Sequence, residues 1–311
     1  MFLVGGYEVG FTLLAVVGQS TYSGSVEKGN VSGMNVPERH YLLWAPLPRA
    51  YSNYFGRKVI RFLLTIQGLG AFFLITLGVI FTKFRRARSV VWPLIWQELN
   101  RSGVKLLPMF LFLSLAMGLV VIGQAVSWLT RVNAVQYLGT IMVLVVVREI
   151  GPMLTALLVL ARAGTSNVIE LGTARALGEV EALEALVIDP IHYLVMPRVI
   201  GMAIGVFSLT VYFILGSLLS GYMWAFLQDV PLRPTDYFEQ LAGALSYTDF
   251  IVLGTKSILF GVIISVITCY HGLAQPLQLE EVSNATVRAV AQSVIACVAL
   301  DALFIVIYLV L

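Results

Sequence analysis

Long apolar runs separated by short polar stretches dominate the chain. Five of them are predicted to cross a bilayer as helices: residues 106–129, 142–161, 193–227, 250–270 and 289–311. The third run exceeds the roughly 20 residues that a span needs, so we expect it to tilt, kink or extend beyond the bilayer. The pattern predicts an all-α polytopic membrane protein with five transmembrane helices.

Several segments precede the first span. Residues 55–81 form an apolar helix with basic residues at both ends, which suits either a span or a helix in the membrane interface with its Lys and Arg heads among lipid phosphates. Residues 92–105 are amphipathic and lead directly into the first span. Residues 1–20 are apolar, and residues 20–53 are rich in Ser, Gly, Asn and Pro, which is typical of a loop or linker.

The connection between the second and third spans has a different pattern. Residues 175–187 place apolar side chains at helical spacing on one side and acidic side chains elsewhere, namely Ala176, Val180, Leu183 and Val187 against Glu179, Glu181 and Glu184. This helix is too short and too charged to span, and Asp189-Pro190 ends it. Periodicity alone leaves open whether it is an ordinary interfacial helix or a platform for a partner.

Composition agrees with a membrane protein, because 59% of the residues are hydrophobic and only 12% are charged. The net charge of +3 is small and does not indicate a nucleic-acid partner. Basic residues are concentrated on one side, in residues 83–105 and at Arg162, Arg175 and Arg198, whereas the opposite loops offer Arg131 and Arg233. The positive-inside rule makes the first side cytoplasmic, and an odd number of spans then places the C-terminus opposite.

Four charged residues lie inside apolar runs, namely Arg148, Glu149, Lys256 and Asp301. An unpaired charge at such a position costs on the order of 2.5 to 3.5 kcal/mol by insertion scales. Each therefore needs a partner or water. Two interpretations stay open: a polar path or cavity between helices, or ion pairs that fix helix packing, for example Lys256 with Asp301 or Glu149.

No motif of a catalytic site is present, since HExxH, paired-Cys and GxSxG patterns are all missing from the sequence. Residues 254–257, GTKS, resemble the end of a phosphate-binding loop but lack its upstream glycine and lie in a predicted span. Cys269 and Cys297 lie in apolar runs and are predicted to be buried, without a disulfide or a metal. We expect a non-catalytic chain with no cofactor or metal of its own.

Several motifs in a fixed order resemble the MlaE/YrbE family. They are REIGP at 148–152, LARAGTS at 160–166, ELGT at 170–173 and EALEALVIDPIHYLVMPRVI at 181–200. The family comprises the permease subunits of ABC transporters that move lipids between membranes with Mce proteins. The resemblance covers residues 55–311 as a permease domain, and residues 1–54 fall outside it as an N-terminal extension of unknown role.

The resemblance implies a location, partners and a substrate. It implies a homodimer in the bacterial inner membrane, with separate ABC ATPase subunits that bind ATP and Mg²⁺, and a Mce-domain protein on the far side. The substrate would be phospholipid or a related lipid. An alternative is a secondary transporter or channel independent of ATP, which internal inverted repeats would favour, although none is visible. Another is a non-transporting membrane scaffold.

The resemblance also implies roles for particular segments. Residues 55–81 match an interfacial helix, and residues 175–187 match a cytoplasmic coupling helix that contacts the ATPase. The coupling residues would be Arg175, Leu177, Glu179, Glu181, Leu183, Glu184, Asp189 and Pro190. The family carries an Arg-Glu pair, a Lys and an Asp at the places of the four intramembrane charges, which leaves open whether they serve transport or packing.

Overall fold

The computed structural model describes residues 65–80, 88–132, 134–227, 234–273 and 278–310. The chain divides into two compact units, Met1–Ala71 and Phe72–Leu311. Within the first unit only the last residues are described. The predicted extension over residues 1–54 and the first part of the predicted interfacial helix therefore lie outside the described residues.

Helices make up almost all of the described part of the chain, in which no strand occurs. In chain order they are α1 Thr65–Ile80, α2 Arg88–Ser102, α3 Leu107–Arg131, α4 Leu138–Ala176, α5 Glu179–Ala185, α6 Ile191–Leu227, α7 Pro234–Ala244, α8 Tyr247–Leu273 and α9 Val282–Val310. The bundle has one end that carries α5 and an opposite end that carries α7, here called the α5 end and the α7 end.

Five segments of the described chain are long and apolar enough to cross a membrane: Val91–Arg131, Leu138–Ala176, Ile191–Leu227, Tyr247–Leu273 and Leu279–Tyr308. The predicted all-α fold with five membrane helices is therefore confirmed, as is the shorter apolar helix before them. Several segments exceed the roughly 20 residues that a bilayer requires, so parts of them extend beyond it or tilt. The first segment combines α2 with α3 across a tight turn at Val104–Leu106.

Helix α6 lies at the centre of the bundle, against α2, α3 and α8, while α8 also packs on α4 and α9. Phe110 of α3 meets Phe213 of α6 edge to face, with ring centroids 6.5 Å apart. Gly201 and Gly205, a GxxxG pair in α6, lie at the contact with α2. A Cβ atom on Gly201 would lie 2.9 Å from Cβ of Glu98, and one on Gly205 would lie 3.1 Å from Oγ of Ser102. A side chain at Gly201 would collide with Glu98, and one at Gly205 would require Ser102 to shift, so both glycines favour the close approach of α2.

Helix α7 lies in the polar stretch of residues 228–249, between the third and fourth predicted spans. Pro234 occupies the first turn, where its missing N–H is harmless. Tyr237 and Leu241, one turn apart, bury their side chains against the bundle. Burial raises the pKa of Tyr237 to about 12, so its hydroxyl stays protonated and donates to the Leu218 carbonyl oxygen at 3.3 Å.

The predicted single helix over residues 175–187 is wrong. Helix α4 continues through the small-residue stretch to Ala176, since nothing before Gly178 breaks it. Gly178 adopts a left-handed φ of +77° and starts the short α5 in a new direction. Val187, predicted on the apolar side of the helix, lies beyond its end with a φ of +61° and is 94% exposed.

Candidate functional site

The candidate site begins at an irregular part of α4. Residues Val143–Ile150 form π-helical turns, a feature that is frequent at functional sites. Pro152 has no backbone N–H and cannot donate to the carbonyl oxygen of Arg148, four residues earlier. The ammonium of Lys256 donates to that oxygen across 3.0 Å. Lys256 of α8 thereby replaces the backbone hydrogen bond that α4 lacks at the Arg148 carbonyl oxygen.

Lys256 lies between two acids. Its Nζ is 3.1 Å from Oε2 of Glu149 on α4 and 2.6 Å from Oδ1 of Asp301 on α9. The lysine side chain is 2% exposed, whereas that of Glu149 is 39% exposed. The structure therefore brings together three of the four predicted intramembrane charges, on three different helices.

Arg148 turns away from this group to a second acid. Its Nε lies 2.8 Å from Oδ1 of Asp249, and a terminal nitrogen donates to Oδ2 at 3.1 Å. The guanidinium also covers the ring of Tyr308, 4.4 Å from the centroid, and the Tyr308 hydroxyl donates to Asp249. The carboxylate of Asp249 accepts the N–H of Ser246 at 2.9 Å as well, which caps the start of α8.

Sequence reasoning missed Asp249 and Tyr308. Asp249 stands in the polar stretch just before the fourth apolar run, so it did not count as an intramembrane charge. Its signal was the Ser-Tyr-Thr-Asp sequence at a helix start, where a carboxylate satisfies backbone N–H groups. Tyr308 lies in an apolar run, where its hydroxyl was the single sign that a buried partner was required.

The two groups form one charge network between α4, α8 and α9. Two bases, Arg148 and Lys256, face three acids, Glu149, Asp249 and Asp301, which leaves a formal charge of −1. Among the described residues there is no group of three or more His, Cys, Asp or Glu that could hold a metal ion. The arrangement can bind a polar group and fix helix positions.

A second charge cluster ties α2, α4 and α6 together at the α5 end, and sequence reasoning did not single it out. Glu170 of α4 pairs with Arg101 of α2 and, at 3.3 Å, with Arg198 of α6. Arg101 also donates to Oγ of Ser166 at 2.6 Å, and Arg198 donates to the Asn167 carbonyl oxygen at 3.4 Å. The cluster fixes three helices next to α5.

The predicted coupling residues separate into groups with different surroundings. Arg175 lies in the last turn of α4 and pairs with Glu181 at 3.1 Å. Leu183 is half-buried, while Glu179 and Glu184 are exposed. Asp189 caps the next helix through the N–H of Ile191 at 3.1 Å, and Pro190 immediately precedes that helix. These last two residues serve the start of α6.

Apolar side chains are exposed around both ends of α5. We call them the α5 apolar tip, defined by Leu177, Leu186, Val187 and Ile188. Val180, in contrast, is buried against the bundle and anchors α5. The left-handed backbone of Val187 is unusual for a β-branched residue and turns its side chain outward. Helix α5 thus presents an apolar surface with two acids beside it.

Comparison with known proteins gives a family. The family model described as Permease MlaE matches residues 95–307. A probable ABC transporter permease protein of Rickettsia felis is 31% identical over 247 residues, covering 78% of this chain and 91% of the relative. The residues that the family model matches include Arg148, Glu149, Asp249, Lys256 and Asp301 of the charge network.

Two other relatives have more specific names. The intermembrane phospholipid transport system permease protein MlaE of Haemophilus influenzae is 27% identical, covering 79% of this chain and 92% of the relative. The chloroplastic protein TRIGALACTOSYLDIACYLGLYCEROL 1 of Arabidopsis thaliana is 30% identical, covering 67% of this chain and 59% of the relative. With a match over most of its length, this five-span helical chain belongs to the MlaE permease family.

Proposed function

We propose that the chain is the membrane subunit of an ABC transporter that moves phospholipid or a related lipid between membranes. ATP and Mg²⁺ would bind a separate ATPase subunit, and this chain itself would catalyse no reaction. Family membership supports transport, and the name of the Haemophilus influenzae relative supports phospholipid as the substrate class. A homodimer and a Mce-domain protein complete the proposed assembly in the bacterial inner membrane.

The observation that carries the ATPase part is the α5 apolar tip. Exposed apolar side chains grouped around one short helix indicate a binding site for a protein or a membrane. Exposed Glu179 and Glu184 lie on the same short helix, and carboxylates are repelled by the anionic lipid surface of a cytoplasmic leaflet. A protein partner with an apolar groove and a basic rim fits this surface better than a bilayer does.

The distribution of Lys and Arg supports a cytoplasmic position for the α5 end, where such an ATPase would be found. The α5 end carries Arg101, Arg175 and Arg198, while the basic residues of the opposite end are few. The cluster around Glu170 gives α5 a firm base, because it joins three helices within a few residues of Gly178. Movement of α5 would therefore reach α4, and through α4 the charge network.

Affinity purification of the tagged chain from its native membrane tests the proposal. We expect an ABC ATPase and a Mce-domain protein to co-purify, together with bound lipid. Val187→Asp should reduce ATPase recovery at least tenfold, since it places a charge on the apolar tip. Glu239→Gln, an exposed change on α7, is the matched control and should leave recovery unchanged. Recovery of the chain without any ATPase would contradict the proposal.

A further inference from the structure

We propose that Glu149 is the member of the charge network that meets the transported lipid, and that it selects a headgroup carrying an ammonium group. The inference rests on the proposed function, because it assumes that lipid passes the network. The sequence groups Arg148, Lys256 and Glu149 together as intramembrane charges, but the inference gives them different roles. Arg148 and Lys256 hold helices together, and Glu149 binds the headgroup of the lipid.

Lys256 is buried and already has three oxygen partners. Its Nζ donates to Oε2 of Glu149 at 3.1 Å and to the Arg148 carbonyl oxygen at 3.0 Å, and it forms an ion pair with Oδ1 of Asp301 at 2.6 Å. With 2% of its side chain exposed, it cannot reach a headgroup without breaking these contacts. A phosphate that entered here would have to displace two carboxylates.

Arg148 is committed in the same way. Its guanidinium makes two contacts with the carboxylate of Asp249, at 2.8 Å and 3.1 Å, and one face lies on the ring of Tyr308. Asp249, in turn, is only 1% exposed. Breaking a buried pair costs several kcal/mol. Both bases of the network are therefore already paired, and an anionic headgroup would have to compete with Asp249 for Arg148, whose side chain is 25% exposed.

Glu149 is the most exposed acid of the network. A carboxylate can accept about four hydrogen bonds, and Lys256 provides one contact to Oε2. Glu149 lies about three helical turns after Leu138, or roughly 16 Å along α4, well inside the apolar segment. A carboxylate exposed at that depth requires a donor or a positive charge. With all three acids ionised, the network carries a formal charge of −1, which favours a cation and repels an anion.

An ethanolamine-type headgroup has the matching chemistry, since its ammonium group is both a cation and a donor. A glycerol-type headgroup has hydroxyl donors but a net negative charge. A second copy of this chain could also cover Glu149, in which case the headgroup would have no influence on binding. These alternatives predict different lipid contents in the purified transporter.

The experiment uses the complete transporter, purified with its partners and equilibrated with vesicles of phosphatidylethanolamine and phosphatidylglycerol in equal amounts with identical acyl chains. Bound lipid is extracted and counted by mass spectrometry. We expect about fivefold enrichment of phosphatidylethanolamine, the size of effect that one partly exposed ion pair produces. Glu149→Gln should bring the ratio close to one, while Glu149→Asp and the control Glu239→Gln should retain the preference.

Equal binding of both lipids by the wild type, or preference for phosphatidylglycerol, would overturn the inference. So would an unchanged ratio in Glu149→Gln. If Glu149→Gln does not fold, the lipid ratio of the wild type still tests the headgroup preference. Loss of that preference in Glu149→Asp would contradict the role of the carboxylate. A transporter that moves lipid without headgroup preference would refute this inference alone, whereas one that moves no lipid under ATP would refute the proposed function.

Discussion

Nζ of Lys256 lies 2.6 Å from Oδ1 of Asp301, which joins α8 to α9 inside the apolar part of the bundle. The sequence left open whether such charges form a path or fix packing. The geometry supports packing for Lys256 with Asp301 and for Arg148 with Asp249, and a path for Glu149, whose side chain is 39% exposed. Arg148 and Glu149, which are adjacent in α4, therefore have different predicted roles: Arg148 fixes helix packing and Glu149 contacts the lipid.

We expect Lys256→Met to lower the free energy of unfolding by about 3 to 5 kcal/mol, because two acids lose their shared cation in a low-dielectric environment. The double change Lys256→Met with Asp301→Asn should recover part of the loss, since one of the stranded charges is removed. Denaturation of the solubilised protein measures both. An unchanged melting temperature in the single variant would show that water already solvates the lysine.

Arg148→Lys should destabilise the protein although it keeps the charge. Lysine cannot reproduce the two parallel contacts with Asp249 or the planar contact with Tyr308, and we expect a loss of about 1 to 3 kcal/mol. Arg131→Lys, at an exposed position at the end of α3, is the matched control and should be neutral. Equal stability of the two variants would refute the role of Arg148 as a clamp between helices.

The two ends of the bundle should lie on opposite sides of the membrane, with the α5 end inside. Cysteine at position 179 should resist an impermeant thiol reagent in intact cells, and cysteine at position 236 should react. Both positions are exposed, and the native Cys269 and Cys297 are buried, so their background labelling should be low. Labelling at position 179 from outside would reverse the orientation.

Val187→Gly should affect the stability of the chain and its association with the ATPase in opposite directions. A φ of +61° is unfavourable for valine and easy for glycine, so the variant should be as stable as the wild type or more stable, by up to about 1 kcal/mol. It also removes one side chain of the α5 apolar tip, and we expect weaker ATPase association. Thermal unfolding and co-purification are measured on the same preparation. Undiminished ATPase recovery would exclude Val187 from the contact.

The five spans could be predicted from the sequence because each is a long apolar run, and the burial of both cysteines followed from the same runs. Helix ends were harder to place. The continuation of α4 to Ala176 was missed because the apolar run ends at Ala161 and the helix predicted next was placed at residues 175–187. Gly178 was a signal for a break between two helices. It was overlooked because the apolar residues on both sides of it fit the spacing of a single helix over residues 175–187.

The four intramembrane charges of the site could be predicted from the sequence, but which residues pair with one another could not. Lys256 was expected to pair with Asp301 or with Glu149, and it contacts both, since α4 and α9 flank α8. Its third contact, with the Arg148 carbonyl oxygen, depends on Pro152 and on the position of α8 beside it, which no local pattern contains. Arg148 was expected in the same group, yet it pairs with an acid outside the apolar runs.

Lipid movement by the purified chain and its ATPase in sealed vesicles tests the central claim most directly. Movement of labelled phospholipid is compared under three conditions: without nucleotide, with ATP and with a nonhydrolysable ATP analogue. The account predicts transport that requires ATP hydrolysis, requires both proteins and falls when Val187→Asp disconnects them. Transport by this chain alone, or transport driven by an ion gradient without ATP, would contradict it.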